Sequence, residues 1–231
     1  MPACALEDIV KEIVLNLLIV LLPSWLKVFI LRSRGATIGK NCWIGFSVID
    51  ASCITIGDNV HVGHFNLLWR LKGLTLETGS GITMFNWITG ARTGTFRLGR
   101  NSGITRFHFL EASAGIDIGS NCIVAGRSSH FFTHGISSTN LDDQRPIAIG
   151  DWCYIGTGSK FVPGASVAAG TFVGMGSVVT KASSECFVLI AGAPATVKKH
   201  LTSSDAYFAR THLPQAHHPA GYQCTKFPIE K

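Results

Sequence analysis

From residue 147 to residue 181 a large apolar side chain recurs at every sixth place: Ile149, Ile155, Phe161, Val167, Val173 and Val179. Two places before each stands a smaller or shorter one: Ile147, Cys153, Ser159, Ala165, Thr171 and Ser177. Neither a helix (period 3.6) nor an alternating strand (period 2) produces this spacing, so the segment reads as an internal repeat. Six residues hold one short strand and a turn. Glycines follow the large residue (Gly150, Gly156, Gly174) or fall in the turn (Gly158, Gly164, Gly170, Gly176), where positive φ or close backbone approach is needed. Three such units make one 18-residue turn of a triangular coil with the large residues pointing inward.

The same phase is found upstream at Ile38, Ile44, Ile56, Val62 and Leu68, with Asp50 in frame between the second and third, which predicts a corner irregularity there. It resumes at Ile82 and Ile88, at Leu98, Ile104 and Leu110, and at Ile118 and Val124. Loops must leave at corners for the core to continue, so bulges are expected near 70–80, 92–97 and 113–116. Residues 127–146, RSSHFFTHGISSTNLDDQRP, carry no hexad and read as a long excursion, the place where a solenoid most often carries function.

Both ends lie outside the repeat. Residues 6–31 are largely apolar but broken by Asn16, Pro23, Ser24 and Lys27, and Glu7, Asp8 and Glu12 lead them. Acidic leading residues and the lack of a small-residue cleavage site argue against a signal peptide, and Pro23 against an uninterrupted membrane span. The reading is a helix kinked or ended near Pro23 and lying at a membrane interface, with Trp25 at headgroup depth and Lys27, Arg32 and Arg34 toward anionic lipid. The competing reading packs it on the coil or on a neighbouring subunit. Residues 201–231 hold His212, His217 and His218 without periodicity and read as a surface tail; the histidine pair has no third ligand at metal-binding spacing. The chain thus divides into an apolar helical segment 1–35, a coil 36–200 and an extension 201–231.

Composition agrees with a coil of short buried strands: 46% hydrophobic, 15% charged and 25 glycines. A formal charge of +6 suits anionic lipid or a phosphorylated cofactor; no basic block interleaved with aromatics speaks for nucleic acid. The seven cysteines show no zinc or disulfide spacing, and Cys42, Cys122 and Cys153 fall at small-residue positions, so they read as core filler in a reducing compartment.

GMGSVVTK (Gly174–Lys181) resembles the G-A-G-S-V-V-T-K run, and AGAPA (Ala191–Ala195) the A-G-N-P-A segment, of the hexapeptide-repeat acyltransferases; Met175 departs from the usual small residue. The resemblance covers residues 36–200. It implies an all-β, left-handed parallel β-helix, a homotrimer, and transfer of an acetyl or short acyl group from acetyl-CoA to a sugar hydroxyl without a metal. It places the catalytic histidine in the excursion. His130, in Ser-Ser-His, resembles the G-S-H segment of related sugar acetyltransferases, and His134 a T-H-G element of another branch. Either suits a general base; His134 is favoured because Gly135 permits a sharp turn. By the same analogy Tyr154, Thr157, Gly174, Ser177 and Thr180 line the cofactor arm. Lys181, Lys198 and Lys199 meet its phosphates, and Asp142, Asp143 and Arg145 are candidates for sugar binding or imidazole orientation. The acceptor expected is a sugar or lipid-linked sugar of bacterial surface polysaccharide or glycolipid, met at the cytoplasmic membrane face. The alternatives are an amino-sugar N-acyltransferase and a non-catalytic β-helical scaffold.

Overall fold

In the computed structural model, which describes residues 19–136 and 139–208, the hexads close into a parallel β-solenoid. Successive coils span 37–49, 54–69, 73–89, 95–111, 116–132, 147–161, 166–179 and 182–192, and are called coils one to eight. Each coil presents a first, a second and a third face in chain order. The second face is a ladder of eight parallel strands from Trp43–Ile44 to Val188–Gly192, closed by the antiparallel strand Ala195–His200.

Inward residues stack in register. On the second face Ile44, Val62, Ile82, Ile104, Val124, Ile155, Val173 and Ile190 superpose coil on coil, all buried. Burying each such aliphatic side chain stabilises by ~1.5–3 kcal/mol, and because neighbouring coils share contacts, the stack rewards strict periodicity. Asp50 marks the expected irregularity. The register slips between Ile49 and Ala51, and the nearly buried Asp50 carboxylate accepts from Arg70 N (3.2 Å) and Arg92 (2.8 Å). The expected break near 70 is a bend: Leu67–Leu76 runs as one strand around the corner, with Arg70 at φ 52. The other two insertions are the turns 90–94 and 112–115.

The excursion is shorter than the sequence suggested. His130–Phe132 is a strand of the third face, in register with Phe109–Glu111 and Lys160–Phe161, and Phe131 is an inward residue stacked on Phe161 (4.5 Å). The coil leaves its path only at Thr133. The phase is hidden because coil five has one extra residue between Val124 and the third face.

Helix α1 (Ser24–Ser33) begins directly after Pro23 and caps coil one. The first strands of a solenoid expose backbone groups that need partners. Ser24 Oγ accepts from Ile44 N (2.9 Å), and Arg32 donates to the carbonyls of Ile38 (2.7 Å) and Gly39 (2.9 Å). Lys27 is a correction to the lipid-facing reading. It is buried, donates to the Gly45 carbonyl and lies 5.1 Å from the Phe46 ring centre, and burial pushes its ammonium below the usual lysine range. No helix among the described residues is long and apolar enough to cross a membrane. Cys122 and Cys153 are free, buried core residues, as expected. Cys186 is disulfide-bonded, so a reducing compartment no longer follows from cysteine usage. The tail histidines fall outside the described residues.

A polar column runs inside the corner between the second and third faces. Ser47 Oγ accepts from Asn66 N (2.9 Å), Asn66 Oδ1 from Asn86 N (3.0 Å), Asn86 Oδ1 from His108 N (3.0 Å), and His108 Nδ1 from Ser129 N (3.2 Å). The His108 Nε2 hydrogen is then directed at Thr105 Oγ1 (3.0 Å). Burial, then the neighbouring His130, lowers the His108 pKa to about 4. With an unfolded value near 6.5, this neutral ring contributes full stability above pH ~6.5, and the contribution is lost as pH falls toward 4. The loss is of order 3 kcal/mol at most. We predict that His108→Asn, which repeats the residue one coil earlier, flattens the fall in urea midpoint between neutral pH and pH 4. An unchanged acid slope would contradict this assignment.

Candidate active site

The third face of coils four and five brings the titratable groups together. Leu110 and Phe131 point inward, so their neighbours His130 and Phe132 face out, and Thr133 and His134 leave at the corner. Glu111 ends the strand above. Its side chain is 9% exposed, yet it accepts from Ser113 N (2.8 Å), Thr133 N (3.1 Å), Thr133 Oγ1 (3.0 Å) and His134 Nδ1 (2.9 Å). Burial alone would raise the Glu111 pKa, but hydrogen bonds from Ser113, His134 and Thr133 outweigh it and hold the carboxyl below its ordinary range. An ionised carboxylate only accepts, so in the neutral ring the hydrogen is on His134 Nδ1 and Nε2 presents a lone pair. The ring is 57% exposed.

The excursion starts as a two-residue antiparallel ladder, His134 opposite Gln144 and Gly135 opposite Asp143. Its base is held by its own side chains. Asp143 and Arg145 form a two-pronged ion pair (2.6 and 2.7 Å), and Asp142 accepts from Gln144 Nε2 (2.7 Å). Arg145 N donates to Thr133 O (2.9 Å) and Gly164 N to Arg145 O (3.2 Å), tying the loop to coil six. The three residues expected to meet the sugar are thus engaged in shaping the loop.

The cofactor candidates fall in separate places. Thr180 and Lys181 are exposed on the corner that carries His134, two coils further along. Thr157 and Gly174 lie on the corner between the second and third faces. Thr157 Oγ1 accepts from Arg127 N (2.7 Å) and donates to Arg127 O (3.1 Å). Ser177 is buried at the same corner, and its hydroxyl donates to Gly174 O (2.7 Å). Tyr154 stacks on Phe172 (5.3 Å) under Tyr207, whose hydroxyl donates to Cys153 O (2.9 Å), so residues 201–208 cover its face. Lys198 and Lys199 sit exposed on the closing antiparallel strand. The described residues contain no group of three or more His, Cys, Asp or Glu placed to hold a metal.

Glu111 is the functional candidate that sequence reasoning missed. An acid at an outward position, just before an expected corner insertion, was its only mark. The link to His134 requires the register Glu111–Phe132, which the extra residue of coil five conceals.

We predict that Glu111→Ala strips the acceptor from the Ser113 N–H, the Thr133 hydroxyl and His134 Nδ1 and loosens the excursion. Endoproteinase Asp-N, which cuts on the N-terminal side of aspartate, should then cleave before Asp142 faster than in the wild type, with the coil still folded by circular dichroism. Equal cleavage rates would show that Glu111 does not hold the loop.

Residues 35–63 and 146–181 match the hexapeptide repeat of succinyl-transferase. The bifunctional protein GlmU of Francisella philomiragia is 25% identical over 171 residues, which is 62% of this chain and 36% of that protein. The chain spans about a third of the length of this curated relative. Among solved structures, a variant of the N-acyltransferase AntD from Bacillus cereus, in complex with dTDP and coenzyme A, is similar in fold. Its TM-score is 0.51 at 17% identity, covering 74% of this chain and 88% of that one. The hexapeptide-repeat acetyltransferase VCA0836 from Vibrio cholerae gives 0.48 at 19%, covering 81% and 87%. The parallel coils, the inward residues in register and the two matched stretches show that the solenoid is built on hexapeptide repeats.

Proposed function

We propose that this chain transfers an acetyl or other short acyl group from acetyl-CoA to a sugar hydroxyl, with His134 as general base. The observation that carries the reading is the Glu111–His134 contact, which fixes an exposed imidazole with its Nε2 lone pair available. In the reaction the acceptor hydroxyl gives its proton to His134 Nε2 as its oxygen attacks the thioester carbonyl carbon. The C–S bond then breaks and the thiolate of coenzyme A takes the proton back. The carboxylate stabilises the imidazolium that forms in between.

Support for the donor comes from Thr180 and Lys181 on the His134 corner and from the coenzyme A in the complex of the AntD variant. Thr157 and Gly174 sit on the other corner of the third face, which also exposes Phe85 (43%), Trp87 (49%) and Phe107 (48%). A homotrimer in which a neighbouring copy covers this face and completes the groove accounts for both features. On helix α1 and the residues before it, Leu21, Trp25 and Phe29 form an exposed stripe at 65–74% exposure, opposite buried Lys27 and Leu31. This stripe supports peripheral contact with a membrane at its cytoplasmic face, where a lipid-linked sugar of bacterial polysaccharide or glycolipid would be met.

The test is acetyl transfer from acetyl-CoA to a panel of sugars, with calorimetric binding of the cofactor. His134→Ala should lower turnover roughly 10²–10⁴-fold while cofactor binding persists, and His130→Ala should retain most of the rate. The reverse pattern would move the base to His130. Absence of acetyl-CoA binding to the wild type would overturn the reading.

A further inference from the structure

One corner departs from the hexad just before the strand that carries His130. Between the inward residue of the second face and the buried corner residue, coil three spends Thr83, Met84 and Phe85, and coil four spends Thr105, Arg106 and Phe107. Coils six and seven also spend three, 156–158 and 174–176. Coil five spends four: Ala125, Gly126, Arg127 and Ser128. Pairing resumes on both sides of the extra residue, with Ser128 N donating to Phe107 O and Gly158 N to Arg127 O, each 2.9 Å.

The bulge is held firmly. Gly126 (φ 72) and Ser128 (φ 60) flank Arg127, and Thr157 Oγ1 bonds both its N–H and its carbonyl. A Cβ on Gly126 would collide with Thr157 Oγ1, so the turn requires glycine. The fixed backbone projects an exposed guanidinium. Arg106 is exposed at the same corner one coil earlier, and Lys160 is exposed on the third face, the register partner of His130 about 5 Å away. Arg92, Arg97 and Arg145 each pair with a carboxylate; Arg106, Arg127 and Lys160 have no ion-pair partner among the described residues. An anion approaching this side of coils four to six meets three cations that no described carboxylate neutralises.

We propose that Arg106, Arg127 and Lys160 form an anion subsite beside His130 that takes the carboxylate or phosphate group of an acidic acceptor saccharide. This rests on the acyl-transfer reading for the acceptor's role. The acceptor is favoured over the cofactor's phosphates because Arg106, Arg127 and Lys160 lie on coils four to six beside His130, whereas Lys181, Lys198 and Lys199, the cations expected to meet those phosphates, follow coil seven. Thr157 on the Arg127 corner is a candidate for the uncharged arm.

The test is calorimetric binding to the full chain with three probes: trigalacturonate, inorganic pyrophosphate and neutral maltotriose, with acetyl-CoA as the fourth titrant. At least one anionic probe should bind more tightly than maltotriose and weaken as salt is raised. Arg127→Ala should reduce that affinity about tenfold or more, Arg127→Lys should restore part of it, and acetyl-CoA affinity should be unchanged. Trigalacturonate binding would assign a carboxylate and pyrophosphate binding a phosphate. Failure of both anions to bind wild type overturns the proposal. So does a parallel loss of acetyl-CoA affinity in Arg127→Ala, which would give the cations to the cofactor. Anion binding without acetyl transfer would refute the acyl-transfer reading and leave the anion subsite standing.

Discussion

The strand amides of a coil of this kind find their partners in the coil above or below, and that constraint governs the molecule. It explains why the inward residues recur at six. A coil whose strands shifted by one residue would turn its aliphatic side chains to solvent and lose the bonds on both sides. It also explains where the chain departs from the pattern. The bend at Arg70, the turns 90–94 and 112–115, the extra residue at 125–128 and the excursion after Thr133 all sit at corners, where extra length leaves neighbouring coils paired. At the open first coil the same requirement is met by side chains of helix α1, which explains why a lysine is buried there: Lys27 serves the Gly45 carbonyl.

The candidate site follows from this geometry. Because Phe131 must stack on Phe161 and Leu110, the strand carrying His130 is fixed in register, and its next residues emerge beside Glu111. A carboxylate from one coil therefore grips the first two residues of a loop from the next. The imidazole is held by the rigid part of the fold. Orientation of this kind favours a general base, since the ring need not be ordered when the acceptor arrives.

The coil itself was legible in the sequence because inward positions tolerate little besides aliphatic and aromatic residues, so the period survives in the letters. Ile149 through Val179 spell it without interruption. Phe131 was missed as a core residue because a single additional residue in coil five displaces it from frame. The same displacement concealed Glu111, whose partner is set by register and not by sequence distance. Lys27 misled for a different reason: a cation on an apolar helix normally seeks water or lipid headgroups, and only the unpaired carbonyls at the end of a solenoid give it a buried role. Ser177 fits the corner whether or not a cofactor lies nearby, so the motif containing it could not separate packing from binding.

The most direct test of the central claim is the tautomer of the neutral His134 ring, read by long-range proton–nitrogen NMR at a pH where the ring carries one proton. A ring gripped by Glu111 should show the neutral tautomer with hydrogen on Nδ1 and a bare Nε2, and the Glu111→Gln protein should lose that preference. A ring carrying its hydrogen on Nε2, or exchanging freely between tautomers in the wild type, would contradict a base held ready by Glu111.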